Sequence, residues 1–110
     1  MEDKLEEIFS LQKGLTEMRN LDRYPDHTEG RISALCTAMI HEAVELQRTT
    51  NWKWWKKPTE FNLPEAREEL ADIWHFLIQA SLELGLTPDD ILKEYQRKNE
   101  INRQRQKDGY

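Results

Sequence analysis

Apolar residues recur every three or four positions along four segments of the chain, and this spacing constrains the fold more than any other feature. Such spacing is typical of amphipathic α-helices. No stretch alternates between apolar and polar residues as a β-strand does. The sequence therefore predicts an all-α fold, a bundle of four helices. The predicted helices run from about Asp3 to Leu21, from Thr28 to Thr49, from Pro64 to Leu84, and from the cap at Thr87 to Gln106.

Helix-breaking residues separate these segments. Pro25 disfavours helix at the residue before it, while Pro64 and Pro88 suit the first turn of a helix. Gly85 suits a C-terminal cap. No linker, repeat or low-complexity stretch interrupts the 110 residues, so we expect one domain, residues 1–110. A chain this short buries a limited core, which favours completion of the bundle by oligomerisation.

The composition argues against several classes of protein. Charged residues make up 34% of the chain and hydrophobic residues 37%, which is too polar for a membrane protein and too apolar for a disordered one. The net charge of −5 argues against a nucleic-acid polymer as a partner. The acidic N-terminus lacks the apolar segment of a secretory signal, and the single cysteine, Cys36, allows no internal disulfide, so we expect a cytoplasmic protein. Cys36 lies in an apolar pattern and is expected to fill the core.

Two pairs of acids with the same spacing stand in the two central segments. Glu42 and Glu45 belong to the first pair, and Glu69 and Asp72 to the second. Residues three apart on a helix are neighbours, so each pair can present two carboxylates to one ion. Glu42 lies about 60° around its helix from Met39, at the rim of the apolar stripe, and so turns toward the bundle.

Carboxylates gathered in a half-buried site repel one another, and a divalent cation such as Mg²⁺, which prefers oxygen ligands, relieves that repulsion. The pattern alone leaves open whether these acids bind a metal or form a solvated charged surface. A ferritin-like di-iron site is a weaker interpretation. It requires a Glu-x-x-His pair on each of two helices, and here only Asp72 and His75 come near that pattern.

Aromatic and basic residues provide two further features. Three of the four tryptophans, Trp52, Trp54 and Trp55, fall within four residues and alternate with lysines such as Lys53. Indole faces suit stacking on a nucleobase, although they also suit closure of a bundle end or a subunit contact. Residues 93–107 contain six basic and two acidic side chains, which either bind phosphate or complement the helix dipole.

Together these blocks resemble the dimeric all-α dUTPases, within the MazG-like nucleotide pyrophosphohydrolase superfamily. The resemblance covers nearly the whole chain. The acid pairs indicate the superfamily, and the remaining blocks indicate the dUTPase branch. Typical members of that branch are longer, with extra helices before the last block, whereas one short turn precedes that block here. The blocks are Leu11-Gln12, Glu42-x-x-Glu45, Trp52-Lys-Trp-Trp-Lys56, Glu68-Glu-Leu-Ala-Asp72-x-x-His75-Phe76 and Lys98-Asn-x-x-Asn102-x-x-Arg105-Gln-x-x-Gly109-Tyr110.

The resemblance implies Mg²⁺-dependent hydrolysis of dUTP to dUMP and pyrophosphate, with Mn²⁺ able to replace Mg²⁺. It implies a homodimer, or alternatively a homotetramer. The shorter chain leaves open a preference for dCTP or a broader housecleaning activity, and a non-catalytic helical interaction module is a further alternative. The implied catalytic metal ligands are Glu42, Glu45, Glu69 and Asp72. The implied substrate-binding residues are Gln12, Lys53, Trp54, Trp55, His75, Phe76, Lys98, Asn102 and Arg105.

Overall fold

The computed structural model describes residues 3–109, which form four helices. Helix α1 spans Lys4–Glu17, α2 spans Thr28–Gln47, α3 spans Leu63–Glu83 and α4 spans Pro88–Lys107. The described part of the chain contains no strand, so the prediction of an all-α fold is confirmed. Among the described residues, no helix is long and apolar enough to cross a membrane.

Three of the helices begin at residues whose side chains cap the first turn. The carboxylate of Asp3 accepts a hydrogen bond from the backbone N–H of Glu6, and Asn62 caps α3 in the same way. At α4, Thr87 and Asp90 form a reciprocal capping box, with bonds of 3.1 and 2.9 Å. The bonds from Thr87 hold the pKa of Asp90 below its usual value. These caps satisfy backbone N–H groups that a helix otherwise leaves unpaired.

Helix α1 ends at Glu17, and the prediction that it reaches Leu21 is wrong. The backbone N–H of Met18 bonds to carbonyls within the last turn of the helix. Two residues later, the side chain of Asn20 accepts a hydrogen bond of 2.9 Å from the backbone N–H of Asp22. Asparagine side chains compete with the helix by forming such local turns, so the chain leaves the helix before the proline at position 25.

The antiparallel pair of α2 and α3 forms the centre of the molecule, α1 packs against α3, and α4 packs mainly against α1. The buried apolar side chains are Phe9, Leu35, Ala66 and Ile78. The radius of gyration is 17.4 Å, compared with about 13 Å for a compact domain of this length. The predicted four-helix arrangement is therefore present in a form more open than a closed bundle.

Several residues of the predicted apolar stripes remain exposed. Cys36 is exposed, so the expectation that it fills the core is wrong. On α3, Leu70 and Leu77 are 46% and 42% exposed, and Leu84, just after the helix, is 57% exposed. The cause is geometric: the contacts of α2 with α3, and of α3 with α1, leave these parts of the helix surfaces uncovered.

A short turn joins α3 to α4, as the sequence predicts. Gly85 has a φ of +74°, a conformation that residues with a Cβ atom adopt at a cost. The N–H groups of Gly85 and Leu86 bond to the carbonyls of Leu82 and Ser81, each at 3.0 Å. This closes the end of α3 and sets the direction in which α4 leaves.

Candidate active site

Three carboxylates meet between α2 and α3. Glu42, Glu69 and Asp72 each offer one oxygen atom, and these three oxygens lie within 4.8 Å of one another. All three side chains are half-buried. They meet because the helices are antiparallel, so the C-terminal half of α2 faces the N-terminal half of α3. The structure thus brings together three of the four acids that the sequence indicated.

The chain itself provides little compensation for the charge of this cluster. One oxygen each of Glu42 and Glu69 (Oε2) is buried and has no hydrogen-bond partner. Burial raises the pKa of Glu42, and the negative charges of Glu45 and Asp72 raise it further. Burial also raises the pKa of Glu69, with the charge of Glu45 as the next cause. Buried carboxylates without donors are costly unless a proton or a cation neutralises them.

The arrangement fits a hard divalent cation. All the offered ligand atoms are carboxylate oxygens, which Mg²⁺ prefers, and the unpaired oxygens of Glu42 and Glu69 are available to coordinate it. Glu45 is exposed and lies outside the group of three, although it is near enough to raise the pKa of both glutamates. Among the described residues, no histidine joins the cluster, which does not favour a di-iron site.

A cavity of about 320 Å³ lies between α1 and α3. This volume is within the range of pockets that hold small molecules. Gln12 and His75 are the two polar side chains in an otherwise apolar lining, and both were indicated by the sequence. The structure therefore brings these two residues, 63 positions apart in the chain, to one cavity. The lining consists of Ile8, Leu11, Gln12, Ala71, Trp74, His75 and Ile78.

The cavity and the carboxylate cluster share helix α3. Asp72 belongs to the cluster, while Ala71 and His75 line the cavity. Three helical residues span about 4.5 Å along the axis, so the two features lie within one turn of α3. The Nδ1 atom of His75 lies 2.9 Å from the carbonyl oxygen of Ala71. That carbonyl can only accept, so Nδ1 carries a proton and donates to it.

Sequence reasoning missed most of the apolar wall of this cavity, including Trp74, which is 50% exposed. A signal for it exists. The lining residues of α3 stand at positions 71, 74, 75 and 78, and those of α1 at 8, 11 and 12, which is the spacing of one helix face. Phe76 is half-buried and does not line the cavity.

The tryptophan-lysine loop between α2 and α3 forms a second concave surface, of about 720 Å³. Lys53 lines it, together with Trp52, Arg48, Lys56 and Lys57. It also includes Val44 and Gln47 of α2, which flank Glu45 in the sequence. The surface is therefore strongly basic and begins next to the exposed acid of the site.

The two other tryptophans of this loop project outward. Trp54 is 86% exposed and Trp55 is 58% exposed. Trp55 makes edge contacts with Trp52 and Trp54, with ring centroids 5.9 and 5.7 Å apart. Neither Trp54 nor Trp55 lines the cavities described above, so any contact of theirs with a base would be made from the loop surface.

Two hydrogen bonds determine the shape of this loop. The Asn51 side chain donates to the carbonyl of Thr59 at 2.8 Å and accepts from the N–H of Thr59 at 2.9 Å. One side chain thus joins the two ends of the nine-residue segment, 51–59, that carries three of the four tryptophans. Such amide side chains replace the backbone pairing that a loop otherwise lacks.

The basic C-terminal motif lies on α4, away from the centre of the α2–α3 pair. Lys98 and Asn102 are exposed, and α4 makes its main helix contacts with α1. Asn102 lines a shallow depression of about 390 Å³ formed by α4 residues alone. Arg105 lies on the same helix. Tyr110, which ends the motif in the sequence, lies outside the described residues.

Comparisons with known proteins give a consistent result. A dCTP pyrophosphatase of Enterobacteria phage T4 is 41% identical over 46 residues, a match that spans 42% of this chain and 27% of that protein's length. No solved structure matches the chain significantly. A family model described as dUTPase matches residues 4–88 and 78–110. Because these two stretches cover nearly all of the sequence, the chain belongs to this dUTPase family.

Proposed function

We propose that this protein hydrolyses a deoxynucleoside triphosphate to the monophosphate and pyrophosphate, with dUTP as the first candidate substrate. The observation that carries the proposal is the cluster of Glu42, Glu69 and Asp72, with two unpaired buried oxygens, beside a cavity that contains Gln12 and His75. Membership of the dUTPase family supports the same reaction.

Glu42, Glu69 and Asp72 would hold Mg²⁺, with Glu45 as the fourth ligand at the edge of the cluster. Mn²⁺, which accepts the same oxygen ligands, would replace it. When bound, Mg²⁺ would neutralise negative charge on the phosphates and lower the pKa of a bound water molecule. Three clustered carboxylates with Glu45 beside them would repel a triphosphate in the absence of cations, so a substrate site built on them requires a metal ion.

The reaction breaks the bridge between the α and β phosphates and adds one water molecule. Glu45 is the exposed carboxylate of the set, and we assign to it the proton that the attacking water loses. Cations of the loop surface, including Lys53, and those of the C-terminal motif, Lys98 and Arg105, would donate to phosphate oxygens. Asn102 would add a neutral donor.

The base and sugar would occupy the cavity between α1 and α3. Its volume and apolar walls suit a pyrimidine nucleoside, and Gln12 and His75 can hydrogen-bond to it. Trp54 or Trp55 would stack on the base from the loop, and Phe76 would support the sugar from below the cavity. The carboxylates would bind metal and phosphate, so they do not determine which base is accepted. The phage relative is named a dCTP pyrophosphatase, which indicates cytosine. A preference for dCTP or a broader range of nucleotides is therefore the alternative within this class.

We further propose that the active protein is a cytoplasmic homodimer, with a homotetramer as the alternative. Exposed apolar side chains such as Ile40, Leu70 and Leu92 support this, since they are 64%, 46% and 55% exposed, and such surfaces favour association. A second subunit could also bring the basic residues of α4 to the carboxylates. A mass of 13.2 kDa measured by light scattering at micromolar concentration would overturn the dimer.

The experiment that tests the activity is a panel of dNTPs and NTPs with Mg²⁺, read by pyrophosphate release. We expect the fastest release from dUTP. Faster release from dCTP, or similar release from many nucleotides, would establish the alternative within the class. If no nucleotide is hydrolysed, the protein is not a pyrophosphohydrolase.

Two substitutions separate an enzyme from a non-catalytic interaction module. In an enzyme, Glu45→Gln and Asp72→Asn abolish turnover while the protein remains folded. In an interaction module, the same changes leave function intact and stabilise the fold by removing repulsion. Glu68→Gln is the matched control, because Glu68 is exposed, lies next to Glu69 and is outside the cluster. We expect it to retain turnover.

A further inference from the structure

A chain of hydrogen bonds runs from α2 through α3 to α1 and ends at Gln12, which lines the cavity. Arg31 donates to Glu83 Oε2 at 3.2 Å, and Gln79 Nε2 donates to Glu83 Oε1 at 2.9 Å. Gln79 Oε1 in turn accepts from Gln12 Nε2 at 3.1 Å, and also from the hydroxyl of Thr16. Gln12 and Gln79 are only 4% and 6% exposed.

The ionised end of this chain fixes the orientation of both amides. The Glu83 carboxylate, paired with Arg31, can only accept hydrogen bonds. Gln79 must therefore present its nitrogen to Glu83 and its oxygen to Gln12. Gln12 must then present its nitrogen to Gln79. A flip of either amide would place two donors or two acceptors against each other in a buried position, which is costly.

One consequence is an unpaired acceptor on Gln12. Its Oε1 atom is buried and has no hydrogen-bond partner. The Gln12 side chain also lines the cavity between α1 and α3. A buried acceptor without a partner costs about 1–3 kcal/mol, and a ligand in the cavity that carries an N–H donor can remove that cost with a small adjustment of the amide.

We propose that Gln79 is a positioning residue for substrate selection: held by Glu83 and Arg31, it fixes the Gln12 amide so that its carbonyl oxygen accepts from an N–H on the base. This inference rests on the proposed function. It adds the direction of the hydrogen bond, which the base donates and Gln12 accepts. A uracil offers N3–H and a cytosine offers the N4 amino group. A base edge without a donor leaves the Gln12 oxygen unpaired and is rejected.

The test compares each natural nucleotide with an analogue in which the donor is methylated: dUTP with N3-methyl-dUTP, and dCTP with N4,N4-dimethyl-dCTP. With the preferred base, the kcat/KM of the unaltered protein should be about 5- to 150-fold higher for the natural nucleotide than for its methylated analogue. This factor corresponds to one unpaired buried acceptor. No discrimination by the unaltered protein would overturn the proposal.

Gln79→Met preserves the length of the side chain and removes both of its hydrogen-bonding groups. We expect it to reduce the discrimination to within about threefold, mainly through a higher KM for the natural nucleotide. Gln79 does not line this cavity, so the substitution should not change the space available to the base. If the methyl group were excluded by size alone, the variant would therefore still discriminate against the analogue. Persistence of the full discrimination in a folded Gln79→Met protein would contradict a positioning role.

Two other variants complete the set. Glu83→Gln replaces the acceptor that holds the Gln79 nitrogen by an amide that can also donate, so it should reduce the discrimination even if the methionine variant fails to fold. Full discrimination in a folded Glu83→Gln protein would count against the proposal. Gln96→Met makes the same chemical change at an exposed position of α4 and should behave as the unaltered protein.

A measurement without turnover separates this inference from the proposed function. If the unaltered protein hydrolyses no nucleotide, the proposed function fails, but the orientation of Gln12 can still be tested by NMR. Its Nε2 protons should exchange slowly with solvent in the unaltered protein and in Gln96→Met, and at least about tenfold faster in Gln79→Met. Equal exchange in all three would show that Gln79 does not hold the amide.

Discussion

A carboxylate oxygen of Glu42 on α2 lies within 4.8 Å of a carboxylate oxygen of Glu69 on α3, and one oxygen of each residue is buried without a hydrogen-bond partner. Within the part of the chain that the structure describes, neither carboxylate forms an ion pair with a basic side chain. The pair therefore opposes folding when both carboxylates are ionised, and a bound divalent cation reverses that effect.

The first prediction concerns metal binding and stability. Mg²⁺ should raise the melting temperature, because a ligand at about 100 times its dissociation constant stabilises the folded state by about 2.7 kcal/mol. Glu69→Gln should raise the melting temperature of the metal-free protein, since it removes one repelling charge, and should abolish the increase caused by Mg²⁺. Differential scanning fluorimetry with and without Mg²⁺ measures both effects.

Glu68→Gln is the control for this experiment, because it removes an equal charge from an exposed neighbouring position. It should retain the Mg²⁺-induced increase in melting temperature. An increase that survives in Glu69→Gln would mean that the cation binds elsewhere on the protein.

The second prediction concerns pH. The pKa values of Glu42 and Glu69 are raised above their usual value of 4.5. Their contribution to stability is therefore fully present below the unfolded-state pKa, where both are protonated, and is lost as pH rises through the folded-state values. Urea unfolding of the metal-free protein should show this loss, and Mg²⁺ should reverse it increasingly as pH rises.

The pH dependence can be assigned to these residues with the double variant Glu42→Gln, Glu69→Gln. Its stability should vary less with pH over the same range, and Mg²⁺ should have no effect on it. An unchanged pH profile in the double variant would show that other groups are responsible.

The third prediction concerns the tryptophan-lysine loop. Asn51→Ala removes both hydrogen bonds to Thr59, so the loop should open while the helices remain folded. Limited trypsin digestion should cleave after Lys53 or Lys56 at least about tenfold faster than in the unaltered protein, since cleavage follows the population of the open form. Helical circular dichroism should be unchanged.

Thr50→Ala is the matched control for the loop, because the Thr50 hydroxyl bonds only to the carbonyl of Gln47 within the same turn. Its digestion rate should equal that of the unaltered protein. Equal rates for Asn51→Ala and Thr50→Ala would show that the asparagine does not hold the loop together.

The fourth prediction compares two glycines. Gly14 lies inside α1, and a Cβ atom placed there meets nothing within 4 Å. Gly14→Ala should therefore stabilise the protein by about 0.5–1 kcal/mol, because alanine loses less backbone entropy in a helix. Gly85 also has open space around it but has a φ of +74°, so Gly85→Ala should destabilise by about 1–2 kcal/mol.

Urea denaturation of the two variants measures these free energies. They make the same chemical change without steric conflict, so the opposite signs test the backbone conformation of Gly85 directly. Stabilisation by Gly85→Ala would show that the turn between α3 and α4 has another conformation in solution.

The sequence alone determined the helices and the identity of the acids. The helices follow from apolar spacing and caps, which act within a few residues of one chain segment. The pairing of Glu42 with Glu69 and Asp72 was also accessible, because two acid pairs at the rims of adjacent helices meet if those helices are antiparallel. The early end of α1 could not be predicted, because a single hydrogen bond, donated by the Asp22 N–H to the Asn20 side chain, competed with a longer apolar pattern.

Only the tertiary structure decided which helices pack together and which side chains meet at the site. It placed Gln12 beside Gln79 and in one cavity with His75, it left Cys36 exposed, and it packed α4 mainly against α1. Periodicity shows that a helix has an apolar face, but the partner of that face depends on contacts between residues distant in the chain. The cluster of Glu42, Glu69 and Asp72 could therefore be predicted from the sequence, whereas the cavity and the orientation of the Gln12 amide required the packed structure.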